Sequence, residues 1–345
     1  MNFQIAMLLG QDGMTNGAIY ALLALSILLV FTVTRILLIP QGEFVTYGAL
    51  TMATLQSGHP TALVWLLLGL TLIDCALDVW GAARTSQAFR FPKRILFKLG
   101  YAGLLAVLIN TLPLAELPMA VQALLTLALV VPLGPQIYRL VFQPIASASS
   151  LALLIVSIAV HVSMVGIALL LFGPEGARTR PFSEAGLELG PVTFNSQTLW
   201  VLAVSLGLIV GLYLFFERTL YGKALRATAV NRMGARLMGI SPTLAGKSTF
   251  LLAALIGTLS GILIAPITTL YFDSGFIISL KGFVGAIIGG LVSYPAAALG
   301  ALAVGLIEAF SMFWASTYKE IIVFTLIIPF LLWRSFTSRH VEEEE

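Results

Sequence analysis

Runs of about twenty mostly apolar residues, with few charges, recur along the chain, and they limit what it can fold into before any motif is read. A helix rises 1.5 Å per residue, so roughly 20 apolar residues cross the hydrocarbon core of a bilayer. Such runs occupy 14–34, 61–80, 95–112, 117–138, 149–173, 197–216, 247–270, 296–314 and 319–334, each bounded by charge, Pro or Gly clusters. Two shorter runs, 42–57 and 280–293, are rich in Gly or interrupted. They read as short crossings or as re-entrant helices, which are tolerated only when packed inside protein. Composition excludes the soluble alternatives: 10% of the 345 residues are charged and 59% hydrophobic, whereas soluble domains carry about 25% charged residues. A soluble enzyme, a nucleic-acid binder and a disordered scaffold are thereby set aside. The expected fold is an all-α integral membrane protein, a polytopic bundle of about 10–11 transmembrane helices in a single domain, 1–345.

The few charges orient the bundle. Segment 81–98 holds Arg84, Arg90, Lys93, Arg94 and Lys98 with no acid, and 217–247 holds Arg218, Lys223, Arg226, Arg232, Arg236 and Lys247 against Glu217 alone. Basic loops stay in the cytoplasm, so both belong inside. The connection 174–196, with Arg178 and Arg180 against Glu175, Glu184 and Glu188, falls on the far side. Carrying the alternation outward puts Arg35, Arg139, Arg334 and Arg339 inside too, so 15 of the 19 basic residues share one side, as a correct set of spans requires. The N-terminus is expected outside and the C-terminus in the cytoplasm. Met1 to Gln11 has no basic residue and so lacks the n-region of a secretory signal. The acidic tail within 335–345, ending in four glutamates, reads as a flexible, solvated end.

Intramembrane carboxylates are costly and mark function by default. Asp74 and Asp78, spaced i, i+4 near the end of 61–80, read as interfacial structure within reach of Arg84, or as a polar stripe or proton site. Glu308 lies mid-run in 296–314, and Glu43 opens a short helix after Gly42. Each reads as a pathway or helix-pinning group, or as a plain hydrogen bond between helices. His161, mid-run in 149–173, has no second ligand at metal spacing on its helix, so no metal is expected; His59 and His340 lie near surfaces. Lys281 reads as a snorkelling lysine beginning a short helix. Cys75, the single cysteine, reads as a small buried hydrophobe. Ala245-Gly246-Lys247-Ser248-Thr249 has the look of the end of a P-loop, but the glycine required earlier is Ser241, followed by Pro242. Lys247 therefore reads as a helix anchor. With no catalytic set and no cofactor motif, an enzyme is not expected.

The most informative stretch lies between two spans, in 217–246. Residues 223 to about 238 have the pattern of a short basic helix, stopped by Gly239 and by Pro242 beyond it. Such an element outside the membrane suits docking into a groove of a soluble partner, whereas a solvated basic loop explains the charges but not the ordered Ala/Gly spacing.

The order Arg226-Ala227-x-Ala229-x-Asn231, Ala235 and Gly239-Ile240 resembles the coupling region of permease subunits of branched-chain (hydrophobic) amino-acid ABC importers. Gly17-Ala18-Ile19-Tyr20-Ala21-Leu22 is similar to that family's opening helix, and Gln41-Gly42-Glu43 to its Gly-Glu turn. Tyr138-Arg139 with Pro144, Lys281-Gly282-Phe283 through Gly289-Gly290, Ser293-Tyr294-Pro295-Ala296, and Gly305 with Glu308 resemble further landmarks. The matches cover 13–57 and 138–334. Leu38-Ile39-Pro40-Gln41 departs from the Asn-Phe-Ala-His run of many members, and 73–112 is longer than the family pattern by about two crossings.

The resemblance implies a multi-pass permease of the bacterial inner membrane that moves branched-chain or related hydrophobic amino acids. Urea, short amides and other small polar nutrients are the competing substrates within the class, and a secondary transporter or channel is the alternative outside it. It implies ATP-binding cassette subunits, a second homologous permease and a periplasmic substrate-binding protein as partners, with membrane lipid and without nucleic acid. Gly222, Arg226, Ala227, Asn231, Ala235 and Gly239 would couple to the ATPase. Gly42, Glu43, Gly285, Gly289, Gly290 and Glu308 would lie along the translocation path.

Overall fold

A computed structural model describes residues 3–85, 91–183, 186–189, 192–291 and 293–337. Arg90, Glu184, Arg339, His340 and the four terminal glutamates lie outside the described residues. Among the described residues, seven stretches are long and apolar enough to cross a membrane: Gln4–Thr34, Leu63–Gly81, Met119–Ile145, Ser150–Phe172, Ser196–Arg218, Pro242–Ile264 and Tyr294–Leu332. They contain α1 (Phe3–Thr34), α3 (Leu63–Thr85), α5 (Met119–Val130) with α6 (Leu133–Ile137), α7 (Ser150–Phe172), α8 (Ser196–Arg218), α11 (Pro242–Ile264), and α13 (Tyr294–Ala315) with α14 (Lys319–Thr325) and α15 (Ile327–Thr337). The all-α polytopic class holds. Among the described residues two more apolar helices are shorter, α4 (Phe91–Thr111, apolar over Ile95–Thr111) and α12 (Ser274–Ile288), and α2 (Gln41–Gln56) is a further short helix.

Two of the short helices are half-length because the chain before each is non-helical. At the end of α1, Arg35 takes a left-handed conformation (φ 58°), and the chain turns back through Leu37–Ile39. Non-helical backbone at membrane depth needs partners. Ser157 of α7 supplies them, donating to the Leu37 carbonyl at 2.7 Å and accepting from the Ile39 amide at 3.0 Å. The helix α2 then starts beside the middle of α11, where Gln41 Nε2 donates to the Ala253 carbonyl at 3.0 Å. After α11, the chain likewise returns without helix from Ala265 to Asp273 before α12 begins. The N-terminal turns of α2 and α12 meet there. A Cβ on Gly42 would strike the Gly275 carbonyl, and one on Gly275 would strike that of Gly42. The segments α1–α2 and α11–α12 thus share one plan, a long helix, a non-helical return and a half-length helix, and each half-length helix packs along the other segment's long helix.

Backbone contact also welds α1 to α13: a Cβ on Gly17 would come within 2.9 Å of the Leu302 Cα. Small residues permit this approach, which is how helices gain packing energy where lipid is as apolar as Leu. Residues 17–30 of α1 and 41–53 of α2 are buried without exception, so these two helices form the centre of the bundle.

One end of the bundle carries α9 (Leu220–Val230) and α10 (Arg232–Leu237). The opposite end carries a hairpin not expected from the sequence, β1 (Gly186–Leu189) antiparallel to β2 (Val192–Asn195). The basic element is two helices where one was expected. Asn231 adopts an extended conformation (φ −148°, ψ 103°) and caps α10, its Oδ1 accepting from the Gly234 amide at 2.8 Å. An Asn offers the backbone this alternative to continuing a helix. Gly239 ends α10 as expected, at φ 83°, with Ile240 N donating to the Ala235 carbonyl at 2.9 Å.

Residues 73–112 hold the second half of α3 and all of α4, and a charged cluster fastens them. Asp74 and Asp78 do not simply meet interfacial water: Lys98 Nζ lies 2.6 Å from an oxygen of each, and Arg139 bridges both, 2.5 Å from Asp74. Two acids and two bases make the cluster neutral. Removing Arg139 would leave two carboxylates on one lysine. Because Lys98 is 31% exposed, we expect Arg139→Leu to cost about 2–3 kcal/mol, below the value for full burial, with Arg139→Lys recovering part. Thermal unfolding in detergent measures it. Cys75 is buried and free, as read.

Candidate functional site

The α9–α10 element is amphipathic in a way its charges concealed. Thr219 caps α9, its Oγ1 accepting from the Gly222 amide at 3.0 Å. Gly222, Leu225 and Thr228 then face the bundle, with Gly222 against the Phe215 carbonyl of α8. Ala235 of α10 is buried as well. On the other face Leu220, Tyr221, Val230, Met233, Leu237 and Met238 are largely exposed, Leu220 at 84%. Ala227, Asn231 and Gly239 are exposed, and Arg226 pairs with Glu217 at 3.0 Å at the surface. Of the coupling residues expected from the sequence, Gly222 and Ala235 therefore seat the element, and the other four lie on its open face or turns. The exposed Leu and Met residues were missed. Their signal was present as apolar residues interspersed with Arg and Lys on a segment outside the spans.

Inside the bundle, Lys281 is not a snorkelling residue. The helix begins at Ser274, so Lys281 is mid-helix and buried, with Nζ 2.5 Å from Glu308 Oε1 of α13. Tyr20 of α1 donates to Glu308 Oε2 at 2.6 Å, joining three helices at one carboxylate. Glu43, fully buried, has His161 Nδ1 of α7 at 3.1 Å, and Phe276 stacks on that imidazole with ring centres 4.6 Å apart. The contact is within ion-pair distance but poorly aligned as a hydrogen bond, so among the described residues neither Glu43 oxygen has an aligned donor. Gly285 and Gly289 face Ala301 and Ala297 of α13, and Gly290 ends α12 at φ 71°. Gly42, Gly285 and Gly289 are thus sites of close helix approach, whereas Glu43 and Glu308 are the buried polar groups.

Gly246-Lys247-Ser248 lies within α11, whose N-cap is Ser241, and Gly246 packs against the Tyr138 ring. A phosphate loop needs free backbone amides, which a helix interior does not offer. Among the described residues, no group of three or more His, Cys, Asp or Glu is arranged to hold a metal.

These features define a class: a polytopic helical membrane protein with paired half-length helices at its centre and an amphipathic helical pair at one end. The family described as the permease component of branched-chain amino-acid transport systems matches residues 11–331, and the chain belongs to it. It is 30% identical over 145 residues to the high-affinity branched-chain amino-acid transport permease BraD of Pseudomonas aeruginosa, covering 41% of this chain and 47% of that one. The corresponding LivH of Escherichia coli is 27% identical over 210 residues, 58% of this chain and 67% of LivH. A probable LivH of Methanocaldococcus jannaschii is 26% identical over 286 residues, 79% of this chain and 87% of that protein. The match to BraD thus spans about half of that relative's length. No solved structure matches the chain.

Proposed function

We propose that the chain is the membrane-spanning permease subunit of an ABC importer, carrying branched-chain or related hydrophobic amino acids across the inner membrane. Separate ATP-binding subunits drive it, a second homologous permease completes the pore, and a periplasmic binding protein delivers substrate. The observation that carries this reading is the outward apolar face of α9–α10. An apolar patch outside the spans has no lipid core to enter and marks a protein contact. The charge distribution supports placing that end, and the C-terminus, in the cytoplasm, with the N-terminus and hairpin outside. The permeases named among the relatives support the substrate class.

Gly239 supplies a test. Its φ of 83° strains other residues, and no atom lies within 4 Å of an added Cβ, so the constraint is conformational rather than steric. In proteoliposomes holding the full complex, Gly239→Val is expected to lower leucine uptake per ATP hydrolysed, whereas Gly239→Asn, which tolerates this conformation, keeps it. Equal, full coupling in both variants contradicts the docking role.

A further inference from the structure

We propose that Arg232 is a strut that transmits displacement of the docking element to α1 and α13, a role that rests on the coupling function proposed for α9–α10. Arg232 is the first residue of α10, placed there by the break at Asn231. Its guanidinium reaches across to the end of α1, where Nε and Nη2 both donate to the Val33 carbonyl, at 3.2 and 2.9 Å. The last carbonyls of a helix lack partners within it and carry the negative end of its dipole, so a guanidinium is a fitting grip. The helix stops just beyond, at left-handed Arg35, so the grip is on its final turn.

That turn packs on Leu225 of α9 and Ala245 of α11 through Leu29 and Val33, and a cavity borders its other side. Leu29, Thr32 and Val33 line a cavity of about 560 Å³ between α1, α8, α9 and α13. The turn's other polar tie to a neighbouring helix here is Thr32 Oγ1 to Tyr294 Oη, at 3.3 Å. Deeper in the bundle α1 cannot slide independently of α13. Backbone meets backbone at Gly17 and Gly305, and Tyr20 is bonded to Glu308. A pull on Val33 therefore acts on α1 and α13 together, and through Glu308 on Lys281 of the half-length helix α12. Arg232 makes no contact with substrate in this scheme; it is a positioning residue.

The test uses the complete transporter in proteoliposomes, with Cys75→Ser as background. Arg232→Gln is expected to keep complex assembly and basal ATP hydrolysis while lowering amino-acid uptake per ATP by about tenfold, with Arg232→Lys intermediate. Arg232→Cys with Val33→Cys, joined by a short bifunctional thiol reagent, is expected to recover coupling that the unlinked pair lacks. Full coupling in Arg232→Gln, failure of that variant to assemble, or no recovery on cross-linking would each overturn the strut. If the Cys75→Ser background itself shows no ATP-driven uptake of hydrophobic amino acids, it is the proposed function that fails.

Discussion

Lys281→Met alone is expected to be among the most damaging single substitutions in the protein, and adding Glu308→Gln to it should restore most of what is lost. The pair lies at membrane depth with side chains 7% and 5% exposed, and the Lys281 ammonium is 2.5 Å from the carboxylate. Without it, Glu308 retains the Tyr20 hydroxyl but no counter-charge. Breaking a buried pair by removing one partner costs about 3–5 kcal/mol, because the survivor is left charged in an apolar interior. Neutralising both avoids that cost. A double-mutant cycle read by thermal unfolding in detergent measures the coupling. A single variant as stable as the native protein would show that the charges do not hold α12 to α13.

Gly42→Val should be comparably severe for a different reason. The clash falls on the Gly275 carbonyl, which is backbone, so the ends of α2 and α12 must part rather than a side chain swing away. Overpacking of ordinary side-chain contacts costs about 1–3 kcal/mol, and a backbone obstacle should reach the top of that range or exceed it. Even Gly42→Ala is expected to lower both the melting temperature and uptake. Gly100→Ala is the control, since nothing lies within 4 Å of its added Cβ, and in the interior of α4 it should leave stability unchanged or raise it by up to about 1 kcal/mol. Equal behaviour of the two alanine variants would contradict the paired half-helix arrangement.

Spans were legible in the sequence because the cost of charge in lipid is local: α7 and α8 coincide closely with runs 149–173 and 197–216. What was not legible depends on distant partners. Lys281 begins a short apolar run when only its neighbours are considered, and becomes an interior residue once Glu308, 27 positions on, neutralises it. His161 lacked a partner on its own helix because that partner, Glu43, is on α2. Asp74 and Asp78 were placed near Arg84, but Lys98 and Arg139 close the cluster from α4 and the stretch after α6. In α9–α10 charge drew attention away from Leu220 and Met238, since hydropathy alone assigns apolar residues to the interior. Its break at Asn231 reflects a capping preference that a helix-length pattern does not weigh.

The central claim is that this chain is a pathway powered from outside itself. The direct measurement is uptake of labelled leucine into proteoliposomes holding the permease pair and its ATP-binding subunits, with the substrate-binding protein on the opposite face from the nucleotide. Uptake that requires ATP, requires the binding protein and is indifferent to imposed proton or sodium gradients is the predicted result. Uptake by the permease alone, driven by an ion gradient without ATP, would contradict it.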